Sequence, residues 1–133
     1  MLYSASTAAS GPPNIVVIMI DDLGFGDLAV DGSRFHETPY IDSFAKQGIR
    51  FTQAYSAGPV CSPTRASLMT GKYPPRTGIT NFLPGSDEDG RPLRSPKLPD
   101  RLAATERTFG EILRDAGYET GYYGKWHLGG SPD

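Results

Sequence analysis

The chain has 133 residues, with 13 Lys and Arg against 15 Asp and Glu and a formal net charge of -2. At about 100–200 residues per domain this is one domain or part of one. Near-balanced charge without any basic block argues against a surface built to neutralise nucleic-acid phosphates or anionic lipid. One Cys and two His exclude an internal disulfide framework and a closed Cys/His zinc site.

Met1 to Gly11 have neither a basic start nor a long apolar stretch, so residues 1–13 read as a flexible leader and not as a signal peptide. Ile15 to Ile20 is the longest apolar run, far short of the roughly 20 residues that span a bilayer. Bounded by Pro12-Pro13 and Asp21-Asp22, residues 14–20 suit a strand covered on both faces in a parallel sheet. A helix is expected over residues 39–47, with Thr38 as N-cap, Pro39 in the first turn, a shared face of Ile41, Phe44 and Ala45, and Gly48 as the stop.

Ile49, Phe51 and Tyr55 alternate with Arg50, Thr52 and Ala54 as a second strand would. Ser62-Pro63 repeats the cap-plus-proline start, which places Cys61 just before a helix that Gly71 closes. From Pro74 to Arg101 the chain holds six of its twelve prolines and the run Asp87-Glu88-Asp89-Gly90, and no regular structure is expected there. Thr108 and Glu111 form a capping-box pattern before the stripe Phe109, Ile112, Leu113 and Ala116, and Gly117 ends that helix. Tyr118 to Tyr123 reads as a third strand.

Alternating strands and helices imply an α/β fold whose mainly parallel or mixed sheet is flanked by helices. Asp21-Asp22, Cys61 to Arg65 and Lys125 to His127 follow the three expected strands. In a parallel sheet all three clusters meet at the edge where such folds bind ligands.

Asp21 and Asp22 can share one ligand only if the strand has ended, as Leu23-Gly24-Phe25-Gly26 implies. Two carboxylates suit calcium or magnesium, and a turn using Asp for local hydrogen bonds is the plain alternative. A helix N-terminus and Arg65 about one turn on favour an anionic Cys61, although a lone Cys is often just a buried small side chain. A cysteine-protease reading would take His36 or His127 as base, and no flanking sequence favours it. On an extended segment Lys125 and His127 share a face and Trp126 points into the core; His36 has no comparable setting and is assigned no role.

Cys61-Ser62-Pro63-Thr64-Arg65-Ala66-Ser67-Leu68-Met69-Thr70-Gly71-Lys72-Tyr73-Pro74 resembles the signature of the type I sulfatases, in the alkaline-phosphatase-like superfamily. Residues 14–24, ending in Asp21-Asp22-Leu23-Gly24, resemble that family's first strand and metal pair, and Gly124-Lys125-Trp126-His127-Leu128-Gly129 resembles its second signature. Thr38-Pro39-Tyr40-Ile41-Asp42 fits too, with Tyr40 where Asn is more usual. The likeness runs from about Asn14 to Gly130 in the family's order.

The resemblance implies that a formylglycine-generating enzyme converts Cys61 to formylglycine, whose hydrated aldehyde carries two hydroxyls. One attacks the sulfur and expels the alcohol; the second, deprotonated, restores the aldehyde and ejects sulfate. By the same resemblance Asp21, Asp22 and an oxygen of modified Cys61 ligate one calcium ion. Arg65 holds the diol, Lys125 binds diol and sulfate, His127 takes the proton that triggers elimination, and Lys72 keeps an open role.

The family pattern also includes a later Asp with Asn or His at the metal, and a further His and Lys on the leaving group, none of them within these 133 residues. Residues 14–133 are therefore expected to be the N-terminal part of a sulfatase catalytic domain, weakly active or inactive alone. The implied substrate is a sulfate ester of a carbohydrate or an aryl alcohol. A phosphonate or phosphate monoester hydrolase of the same superfamily and a non-catalytic truncated remnant are the alternatives. No nucleic-acid partner or membrane span is expected. The family is often secreted, periplasmic or lysosomal, and the sequence assigns no compartment.

Overall fold

A computed structural model describes residues 11–85, 92–93 and 96–129. Most of the expected leader and the acidic run Asp87 to Gly90 lie outside the described residues. The chain divides into two compact units, one ending at Arg50 and the other beginning at Phe51.

In the first unit the expected helix forms as α1, Pro39–Gln47, with Pro39 in its first turn. Gly48 closes it, its N–H donating to the Phe44 carbonyl at 3.1 Å. The Thr38 side chain does not cap α1. Its hydroxyl accepts the Ala29 N–H at 3.0 Å and donates to Asp42 Oδ1 at 2.9 Å, and Asp42 Oδ1 also accepts the Val30 N–H at 2.9 Å. The start of α1 thereby satisfies two N–H groups that the short 3-10 turn Ala29–Asp31 cannot pair internally. Arg50 completes the unit, pairing with Asp31 at 2.5 Å and donating to the Val30 carbonyl at 3.3 Å. Polar bonds hold α1, not the expected apolar stripe, since Phe44 is 75% exposed.

The second unit carries the core. Helix α2, Cys61–Thr70, starts at Cys61 itself, with Val60 as N-cap. The cap-plus-proline expectation is therefore corrected by two residues: Ser62 lies inside the helix and is fully buried. Its hydroxyl accepts the N–H of Leu83 at 3.0 Å, a distant partner that outcompetes a local cap. Gly71 ends α2 at φ 68, a left-handed conformation that glycine adopts without steric cost. Within the stretch expected to be irregular, Pro74–Thr77 forms a short helix, α3, because its prolines already hold the helical φ in the first turn.

Helix α4, Phe109–Asp115, has both bonds of the expected capping box. It ends in a Schellman arrangement, with Tyr118 N–H on the Leu113 carbonyl at 3.0 Å and Gly117 N–H on the Arg114 carbonyl at 2.9 Å. Ala66 and Met69, three apart on α2, pack with Ile79, Leu83 and Leu128, and Leu98, Leu102 and Phe109 flank them. Each large member of this cluster is worth about 1.5–3 kcal/mol of burial.

Among the described residues no strand is paired, so the expected parallel or mixed sheet is not seen there. Val16 and Ile18 are 80% and 81% exposed, and Ile49, Phe51, Tyr55 and Tyr123 are also exposed. β-Propensity stabilises a strand only through ladder partners and cover on its apolar face. The three β-branched and aromatic segments have neither here.

Candidate active site

The aspartate pair lies in the first unit. Asp22 has φ 58, a left-handed conformation that Asp tolerates better than most residues, so the extended segment has ended there as the glycines implied. The next turn is closed reciprocally by Asp27, whose Oδ2 accepts the Gly24 N–H at 2.6 Å while its own N–H donates to the Gly24 carbonyl at 3.2 Å. His36 supports this loop through Nδ1, 3.1 Å from the Asp27 carbonyl. Asp21 is half-buried and Asp22 exposed. Their hard oxygen donors fit a calcium ion in kind, but among the described residues no three His, Cys, Asp or Glu side chains converge to complete a shell.

The other expected site residues lie in the second unit. Cys61 is a free, half-buried thiol on the first residue of α2. One turn on, Arg65 is only 6% exposed. Its Nη1 donates to the backbone carbonyl of Lys125 at 2.5 Å, and the Tyr122 hydroxyl donates to the same carbonyl at 2.5 Å. Two donors on one carbonyl fasten the second signature to the cysteine-bearing helix, and one of them is ionic. The Tyr122 ring packs edge-on against Trp126, with centroids 5.1 Å apart.

The expectation that residues 125–127 run extended is corrected, because His127 has φ 53. This turn breaks the alternation that would bury Trp126; Trp126 is 37% exposed and Leu128 is the core residue, at 1%. His127 Nε2 lies 2.5 Å from the Leu83 carbonyl. Lys72, whose role the sequence left open, pairs with Glu106 at 2.5 Å, with side-chain exposures of 35% and 14%.

The second unit thus brings the Cys61–Arg65 cluster and the Lys125–His127 cluster together through Arg65. Four contributors escaped the sequence: Ser62, Leu83, Tyr122 and Glu106. Only Tyr122, three residues before Lys125, had a local signal. The others act across separations of 21, 44 and 34 residues.

The sulfatase family model matches residues 13–132, and the chain belongs to that family. Among its relatives, human steryl-sulfatase is 40% identical over 134 residues, covering 96% of this chain and 21% of its own. Mouse N-acetylgalactosamine-6-sulfatase is 40% identical over 128 residues, covering 96% and 24%. The crystal structure of Ps i-CgsB superposes with a TM-score of 0.70 at 38% identity, over 84% of this chain and 23% of that one; it has also been solved with k-i-k-neocarrahexaose. The chain spans about a fifth to a quarter of the length of these relatives.

Proposed function

We propose that the protein containing this segment hydrolyses sulfate esters of carbohydrates or aryl alcohols. The reading is supported above all by one contact: buried Arg65, on the Cys61 helix, holds the Lys125 carbonyl and so couples the two halves of the sulfatase signature. Kinship with steryl- and N-acetylgalactosamine-6-sulfatases supports the substrate class.

Cys61 is the proposed nucleophile position, at the start of α2 where backbone N–H groups point outward and favour anions. Converted to formylglycine by a maturation enzyme, it would supply a hydrated aldehyde with one hydroxyl for sulfur and a second for sulfate release. Asp21 and Asp22, with an oxygen of the modified side chain and further donors, would hold a calcium ion, which supplies Lewis acidity to the sulfate oxygens. Arg65 would polarise the modified side chain while anchoring the second signature. Lys125 would bind the sulfate, its position fixed through its own backbone carbonyl. His127 would take the proton whose removal releases sulfate.

The test is the full-length protein produced with and without a formylglycine-generating enzyme, followed by intact mass and turnover of an aryl sulfate. Mass conversion at Cys61 with turnover that Cys61→Ala abolishes is the expected result. Unmodified Cys61 without turnover would sink the reading. Faster turnover of the matched aryl phosphonate would transfer it to a phosphonate hydrolase.

A further inference from the structure

His127 presents its two ring nitrogens to different environments. Nε2 faces the Leu83 carbonyl at 2.5 Å, and a carbonyl only accepts, so Nε2 must carry a proton. Nδ1 is buried and has no hydrogen-bond partner. In the neutral ring the basic lone pair therefore sits on Nδ1. An unsatisfied buried nitrogen is rare and calls for a reason. A base kept ready for a proton is such a reason.

Leu83 is itself held. It is 3% exposed, and its N–H donates at 3.0 Å to the hydroxyl of Ser62, which is fully buried next to Cys61 on α2. One peptide residue thus bridges the nucleophile's helix and the imidazole, with Ser62 on its N–H and His127 on its carbonyl. The left-handed turn at His127, φ 53, accompanies this arrangement.

We infer that the Leu83 carbonyl locks His127 as the Nε2–H tautomer, so that Nδ1 is the proton-accepting atom, and that Ser62 is a positioning residue setting this geometry from α2. The inference rests on the sulfatase reading for the purpose of the base, but not for the tautomer. His36 offers a built-in contrast, because its Nδ1 is the nitrogen that faces a carbonyl.

In the full-length protein labelled with 15N-histidine, the ring nitrogens of His127 are the signals that disappear in His127→Gln, and they are read at alkaline pH. The expected spectrum has a protonated, pyrrole-type Nε2 and a pyridine-type Nδ1. The reverse assignment, or averaging between the tautomers, overturns the inference even if sulfate ester turnover is present. A correct tautomer without turnover would instead sink the sulfatase reading alone.

In the full-length enzyme, with Cys61 conversion checked by mass in each sample, Ser62→Ala is expected to lower kcat about tenfold at unchanged KM, in line with losing a group that orients an imidazole. Ser62→Thr, which keeps the hydroxyl, should recover most of it. Unchanged kcat in Ser62→Ala, or a loss confined to KM, would remove Ser62 from the positioning role.

Discussion

Replacing Gly129 by Ala should unfold the second unit's site more readily than any comparable glycine change nearby. A Cβ at Gly129 would stand 2.5 Å from the Cβ of Arg101 and 3.3 Å from its Cα, and the residue sits at φ 140. Arg101 has little room to retreat, since Leu102 N–H is bonded to the Leu128 carbonyl at 2.8 Å. Gly124, at φ 95 with nothing within 4 Å of its Cβ position, isolates the backbone term.

A left-handed alanine costs about 1–2 kcal/mol, and forcing an extra methyl into a filled space adds about 1–3 kcal/mol. Gly124→Ala should therefore cost about 1–2 kcal/mol, and Gly129→Ala about 2–5 kcal/mol. Urea unfolding can be followed through Trp126, the single tryptophan, which packs against Tyr122. With urea slopes of about 1–3 kcal/mol per molar for small proteins, the two midpoints should differ by on the order of 1 M. Equal midpoints would refute the reasoning, because they would mean that Arg101 yields without cost.

Four further outcomes are expected. Thr108→Ala should destabilise the chain by about 1 kcal/mol through loss of the N-cap. The Glu111 carboxyl is held below its ordinary 4.5 first by the Thr108 N–H, then by the Thr108 hydroxyl, with smaller help from Arg114 and Arg107. Its stabilising effect is thus present above about pH 4.5 and lost as pH falls through the lowered value. The stability gap between wild type and Glu111→Gln should close in acid, and a gap that widens there would contradict this sign. A double-mutant cycle of Lys72→Met and Glu106→Gln should give a coupling of about 0.5–1 kcal/mol that shrinks in high salt. Arg65→Met should cost about 1.5–3 kcal/mol, the worth of a charged hydrogen bond, and shift Trp126 emission because the Lys125 carbonyl loses its buried donor.

Features encoded within a few residues were legible. Helices α1 and α4 follow from Pro39 and from the Thr108–Glu111 box, whose partners lie within one turn. Features decided by distant partners were not. Ser62 reads as a cap because Ser before Pro so often is one, yet its hydroxyl is claimed by Leu83, 21 residues on. Trp126 reads as core by alternation, and the left-handed turn at His127 hands that place to Leu128. The strands are the largest difference: residues 14–20 have the right side chains for a ladder, but pairing belongs to the neighbour as much as to the segment. In the site, the residue types of both signatures were readable, whereas Leu83 and Glu106 act through contacts that no spacing rule announces.

The Lys72–Glu106 pair joins residues 34 apart and so ties off everything between them as one loop with a fixed base. Closing such a loop costs entropy that grows only logarithmically with its length, about 0.6 kcal/mol for each doubling. Insertions after Gly85, beyond the buried Ile79 and Leu83, would therefore cost little while α2 and its cysteine stay where they are. Chain length that can vary cheaply while a helix does not move is a route by which one reaction centre could acquire many different substrates.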